Sequence, residues 1–155
     1  MAGCEHRVGG LEKNHDGVIS SDPMNHDLMV KERMEKVQRV ANYIPELKVD
    51  GAESGKLLVV GWGGTYGHLL SAVQEVRAEG IDVSFAHFDY IMPLPKNTAD
   101  VFEKFDKILV CELNSGQFVN YLRALMPQFK YEQFNKVQGQ PFLVQEITTA
   151  IKENF

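Results

Sequence analysis

Two short runs of unbroken apolar residues constrain this chain more than anything else in it. Lys56-Leu57-Leu58-Val59-Val60-Gly61-Trp62 and Lys107-Ile108-Leu109-Val110-Cys111-Glu112 are each too short for a helix core. Neither alternates, as a strand with one wet face would. Such runs are expected of strands covered on both faces, which in a soluble domain means a parallel sheet between helices. The residues between and after them fit. Tyr66, Leu69, Leu70, Val73 and Val76 share one helical face, and Gly80 stops that helix. Asp82 to Phe88 reads as a second strand, after which Pro93-Leu94-Pro95 forces extended or turning backbone. Thr98 is placed to cap a short helix burying Val101, Phe102 and Phe105. Gly116 to Met126 forms a helix on Val119, Leu122 and Met126, closed by Pro127. Lys130 to Val137 is a weaker fourth strand, and Pro141 to Lys152 a last helix on Val144, Ile147 and Ile151. The order β-α-β-α-β-α-β-α predicts an α/β fold, a three-layer α/β/α sandwich with a mainly parallel sheet.

Residues 1–55 follow another rhythm and are expected to form an N-terminal connecting segment, with the α/β domain over 56–155. Ser20-Ser21-Asp22-Pro23 supplies a capping oxygen and then a proline where its missing N–H costs nothing. Val30, Met34, Val37, Ala41 and Ile44 then mark one face of a helix over about 24–43, ended by Pro45. Asp50 to Gly55 reads as a linker. The apolar stripe of that helix needs cover, from the following domain or from another chain.

Composition removes several classes of function. A net charge of -5 argues against a protein that lives on nucleic acid or anionic lipid. No apolar run reaches the roughly 18 to 20 residues of a membrane span, and the first residues lack a signal peptide's apolar stretch. Two cysteines, Cys4 and Cys111, have no CxxC spacing and are too few for a disulfide scaffold, which fits a reducing, cytoplasmic setting.

Chemistry in an open α/β sheet belongs outside the carboxyl ends of its strands. That selects Gly61-Trp62-Gly63-Gly64-Thr65-Tyr66-Gly67, Asp89-Tyr90, and Asn114-Ser115-Gly116-Gln117. The glycine turn is one residue longer than the dinucleotide fingerprint, has no P-loop lysine, and carries Trp62 and Tyr66 where a pyrophosphate would need room. It reads either as a nucleotide- or CoA-binding turn (Gly61, Gly63, Gly64, Thr65, Gly67) or as a tight strand-to-helix connection. Asp89 falls about where a ribose-binding acid could. Glu112, a carboxylate ending an apolar run, either leans into water or accepts hydrogen bonds, with Asn114, from the facing glycine turn. Cys4, His6 and His15 match no four-ligand zinc spacing. Glu12-x-Asn14-x-Asp16-Gly17 imitates a calcium loop, but Pro23 stands where the bidentate glutamate is required. His87 reads as a sheet histidine, His68 as solvated, and Cys111 as an inert core thiol. No catalytic triad or dyad can be assembled. A receiver-like interaction module would need an acidic pair after the first strand, where this chain has Gly61-Trp62.

Leu58 to Gly67, Pro93-Leu94-Pro95-Lys96-Asn97 and Leu109 to Gln117 together resemble the C-terminal domain of the alpha subunit of 2-oxoacid:ferredoxin oxidoreductases, the 2-oxoglutarate branch above all. Gly3-Cys4-Glu5-His6, Asn14-His15-Asp16-Gly17 and Ser21-Asp22-Pro23 resemble the segment leading into that domain. The resemblance implies a transketolase C-terminal-like sandwich. It also implies a complete enzyme that turns 2-oxoacid, CoA and oxidised ferredoxin into acyl-CoA, CO2 and reduced ferredoxin. In that enzyme thiamine diphosphate, Mg2+ and an Fe4S4 cluster lie outside this chain, in the rest of the alpha subunit and the beta subunit. The chain is then expected to be a fragment that packs subunits in an oligomer, with no catalytic residue, cofactor or metal of its own. Trp62, Tyr66, Tyr90, Glu112, Asn114 and Gln117 are expected to form its interface or strand-end surface. An autonomous nucleotide- or CoA-binding module using the Gly61–Gly67 turn is the alternative.

Overall fold

The computed structural model describes residue 3 and residues 9–155, which fall into two compact units, one ending at Val40 and one running from Ala41 to Phe155.

In the first unit Asn14 makes the turn that the calcium-loop spacing imitated. Its Oδ1 accepts from the backbone N–H groups of Asp16 and Val18, both at 3.0 Å, and Lys13 bridges to Ile19. Helix α1 (Pro23–Arg39) follows, and the Oδ1 of Asp22 accepts from Met24 N at 2.9 Å, the cap expected from Asp22-Pro23. A 3-10 turn over Val40–Asn42 extends it to about the predicted end. Glu12 ties the turn to the helix by accepting from Arg33 (2.8 Å) and pairing with His26 (3.0 Å); the Arg33 hydrogen bond leads in holding its carboxyl below the usual range. No residue of α1 is buried.

The second unit contains β1 (Val49–Asp50), β2 (Gly55–Trp62), α2 (Tyr66–Ala78), β3 (Ser84–Phe88), α3 (Thr98–Phe102), β4 (Phe105–Glu112), α4 (Gln117–Leu125), β5 (Tyr131–Asn135) and α5 (Val144–Asn154). The five strands form one sheet in the order β1-β3-β2-β4-β5, parallel except for β1. Leu58, Val60, Ile108 and Val110 face the layer of α3 and α4, where Phe102, Phe118, Val119 and Leu122 are buried. Leu57, Val59, Leu109 and Cys111 face α2 and α5, against Leu69, Val73, Val76, Ile147 and Ile151. Alternate residues of each apolar run thus enter opposite cores, which is why the runs do not alternate in polarity. The three-layer sandwich is the one the sequence predicts.

Two expectations are corrected. The stretch read as the end of a connecting segment belongs to the second unit: Leu47 is buried, and Val49–Asp50 pairs antiparallel with β3. Asn97 holds it there, donating from Nδ2 to Leu47 O (2.9 Å) and accepting from Leu47 N (2.8 Å). Arg77 ties down the other end through Asp50 and donates from Nε to Val83 O at 2.7 Å. The short helix α3 ends at Phe102. Phe105 opens β4 instead, and Thr98 donates its hydroxyl to Pro95 O (2.6 Å), folding the Pro-rich turn rather than capping the helix.

Candidate functional site at the carboxyl ends of the strands

The chain leaves β2 for β3 on one side and returns to β4 on the other, so the switch point of the sheet lies between the carboxyl ends of β2 and β4. A doubly wound fold opens its ligand crevice there. In this protein Trp62, the last residue of β2, donates its indole N–H across that point to the Oε1 of Glu112, the last residue of β4, at 3.3 Å. The Trp62 ring also meets Phe118 edge-on, with centroids 6.3 Å apart.

Glu112 is wholly buried. Besides Trp62, its carboxylate accepts from the backbone N–H of Phe118 (2.8 Å) and Val119 (3.0 Å) and from Asn114 Nδ2 (3.1 Å). Asn114 Oδ1 in turn accepts from Gly116 N (2.8 Å) and Gln117 N (2.9 Å). Four N–H groups at the start of α4, which no intrahelical carbonyl can satisfy, therefore end on two side chains of the preceding strand and loop. A buried carboxylate at the positive end of a helix is matched in charge as well as in hydrogen bonds. The predicted pair, Glu112 and Asn114, does work together, but on the start of α4 and on the Trp62 indole rather than on the backbone of the glycine turn. Gln117 enters through its main chain, its residue being exposed as the first of α4.

The glycine turn divides in two. A Cβ on Gly61 would fall 2.2 Å from Leu69 Cδ1 and 2.7 Å from Thr65 Oγ1, so this glycine exists to let α2 pack on β2. Gly63 has φ +59°, a conformation that side chains resist. Thr65 is buried, its hydroxyl donating to Trp62 O (2.9 Å) and accepting from Trp62 N (3.2 Å). Gly64 and Gly67 have nothing near their missing side chains. Two of the four glycines are thus explained by internal packing and backbone.

Around this centre Tyr66 and Tyr90 are half exposed, 51% and 48%, and Met92 and Leu113 on the loops after β3 and β4 are exposed as well. Tyr66 packs edge-on against His87, centroids 5.1 Å apart. Burial pushes the His87 imidazole below its ordinary pKa, with the charge of Asp89 acting the other way, so the ring is neutral at pH 7. Cys111 is buried, and burial, with the neighbouring Glu112 charge, drives its thiol far up: it is an inert core thiol. His68 is half-buried in the first turn of α2. Cys4 and His6 lie outside the described residues, and His15 pairs with Glu32 at 3.1 Å. Among the described residues no cluster of histidine, cysteine, aspartate or glutamate could hold a metal ion, and no helix is long and apolar enough to cross a membrane. Sequence reasoning missed Asn97 and Arg77, whose partners lie far along the chain, and the Lys136–Glu146 pair beneath the last loop. There the buried Lys136 ammonium donates to Glu146 at 2.8 and 3.0 Å and to Pro141 O at 3.0 Å.

Fold and strand-end geometry together define an α/β sandwich of the transketolase kind. A split-gene transketolase matches 69% of the chain with a TM-score of 0.54 at 12% identity, a likeness of fold alone. No protein-family model matches the chain. Its sequence relatives are alpha subunits of 2-oxoacid:ferredoxin oxidoreductases, to a segment of which it is homologous along nearly its whole length. It is 39% identical over 97% of its residues to the 2-oxoglutarate oxidoreductase subunit KorA of Mycobacterium tuberculosis, and 27% identical over 92% to a 2-oxoacid:ferredoxin oxidoreductase alpha subunit of Aeropyrum pernix. A solved 2-oxoglutarate:ferredoxin oxidoreductase from Magnetococcus marinus, with 2-oxoglutarate, coenzyme A and succinyl-CoA bound, superposes on 97% of the chain with a TM-score of 0.85 and 29% identity. The chain spans only 23% of the first two relatives and 27% of the solved chain.

Proposed function

We propose that this chain is the C-terminal α/β domain, with its lead-in segment, of the alpha subunit of a 2-oxoglutarate:ferredoxin oxidoreductase, and that it packs subunits rather than carrying out chemistry. The complete enzyme would convert 2-oxoglutarate, CoA and oxidised ferredoxin to succinyl-CoA, CO2 and reduced ferredoxin in the cytoplasm. The homology along nearly the whole chain supports the assignment, and the Trp62–Glu112 bridge supports the division of labour. Polar groups at the switch point, where a catalytic or cofactor-binding fold would hold them free, are here spent on the start of α4 and on each other.

Thiamine diphosphate, Mg2+ and the Fe4S4 cluster belong, on this reading, to domains outside this chain. Thiamine diphosphate supplies the electron sink for decarboxylation there. Among the described residues no cluster of histidine, cysteine, aspartate or glutamate could hold the Mg2+ that accompanies its diphosphate, and no step is routed through this segment. What the segment offers instead is a half-exposed apolar rim, Tyr66, Tyr90, Met92 and Leu113, at one end of a rigid sheet. Exposed aromatic and methionine side chains around a buried polar centre suit a protein–protein contact.

The test is the full alpha subunit carrying this segment, co-expressed with its beta subunit. Ferredoxin reduction should require both 2-oxoglutarate and CoA. Tyr90→Asp and Met92→Asp should weaken assembly by gel filtration without lowering the melting temperature of this segment. Turnover of pyruvate but not 2-oxoglutarate would overturn the substrate, and unimpaired assembly of both variants would overturn the packing role.

A further inference from the structure

Beside β1 lies a groove of about 770 Å³, between residues 45–50 on one side and the turn after β2 and the end of β3 on the other. Tyr66 forms one wall. His87 lies on the floor, its Nδ1 buried with no hydrogen-bond partner. Glu46 and Asp89 line the groove, exposed, and neither carboxylate makes a hydrogen bond or ion pair with another described residue. Asp50 also lines it, but its carboxylate is taken by Arg77. Lys48 is the one ammonium among the lining residues, so two unpaired carboxylates stand against one positive charge. The imidazole, neutral because burial lowers its pKa, adds no repulsion.

An aromatic wall half open to solvent, flanked by acceptors that lack donors, is complementary to a planar cation with several N–H groups. A guanidinium stacks on a phenol ring and donates to carboxylates through a fork of N–H groups, which an ammonium cannot match. We infer that this groove receives an arginine side chain of a partner polypeptide, seated on Tyr66 between Glu46 and Asp89. The inference rests on the reading that this chain packs against other polypeptide. It adds the chemistry of one contact, which shares Tyr66 with the apolar rim.

A titration of the full 155-residue chain, labelled with 15N, tests it without any partner subunit. The probes are three capped tripeptides, Gly-Arg-Gly, Gly-Lys-Gly and Gly-citrulline-Gly. The arginine peptide should give saturable, millimolar-range shifts confined to residues 45–50, 63–66 and 87–89. The lysine peptide should bind several-fold more weakly and the citrulline peptide not at all. The double variant Glu46→Gln/Asp89→Asn, both exposed positions, should weaken the arginine peptide by about tenfold. Equal binding of lysine and arginine peptides, shifts scattered over the acidic surface, undiminished binding by the double variant, or no saturable shift would each overturn the inference. None of these outcomes touches subunit assembly, so the groove can fail while the packing role stands, and the reverse.

Discussion

Replacing Glu112 with alanine should be among the most damaging single changes this fold can suffer at a residue that touches no solvent. The substitution strips a partner from Phe118 N and Val119 N, both inside the protein, and from the Trp62 indole. Each buried donor left unpaired costs about 1–3 kcal/mol. Losing the anion at the helix start adds up to about 2 kcal/mol. Against this, the folded state no longer holds a buried charge, whose solvation penalty is several kcal/mol. Asn114 Nδ2, on a half-buried loop residue, can turn to water. The balance of these opposing contributions is a loss of about 3–5 kcal/mol. Glu112→Gln keeps one acceptor oxygen but faces an N–H with its own amide N–H, and should lose about half as much. Urea unfolding of the whole chain is the assay, read by far-UV circular dichroism and by the emission of Trp62, the single tryptophan. Because Trp62 touches Glu112, the two readouts must give the same midpoint before a free energy is taken. A loss below about 1 kcal/mol for the alanine variant, with an unchanged slope, would mean that solvation of the carboxylate cancels its hydrogen bonds. The network would then not be what closes the strand ends.

Other expectations follow from single contacts. Gly61→Ala must push Leu69 and Thr65 aside and should destabilise by about 1–3 kcal/mol, whereas Gly67→Ala, with open space around it, should be neutral or stabilising by up to about 1 kcal/mol in the same urea assay. Asn97→Ala removes both hydrogen bonds on Leu47 and should speed amide hydrogen exchange across 47–50 while leaving β2 and β4 protected. The hydrogen bond from Lys136, then that from Leu143 N, hold the Glu146 carboxyl below its ordinary pKa of 4.5. The contribution of this pair is therefore present above that value and lost as pH falls through the lower, folded-state pKa. Glu146→Gln should flatten the acid limb of a melting-temperature profile below about pH 4.5.

How far the sequence spoke depended on whether the information was local. Leu57–Val60 and Ile108–Cys111 announce doubly covered strands because each face of each strand needs its own apolar side chains, and the helical faces between them show the same economy of pattern. β1 announces nothing: it is two residues long, lies between Pro45 and a glycine-rich stretch, and is held by Asn97 and Arg77 from distant parts of the chain. Composition alone hides β1 for that reason, since it marks where a chain turns but not which body the turn belongs to. At Glu112 the residue pattern identified an anomalous carboxylate, but not its partners. The donors of α4 lie a few residues ahead and the glycine turn about fifty behind, and only the register of β2 against β4 decides between them. The glycines of the turn were equally ambiguous, because close packing at Gly61 and phosphate approach ask for the same residue.

On the proposed reading the switch point is closed, and this segment packs against other polypeptide without binding a cofactor. Trp62 reports on it directly. Coenzyme A, NADP, NAD and thiamine diphosphate should each be titrated against its emission, with any change checked by calorimetry. A closed switch point predicts no saturable binding of any of the four. Micromolar binding of one of them, about 8 kcal/mol, would contradict it and make the Gly61–Gly67 turn a ligand site.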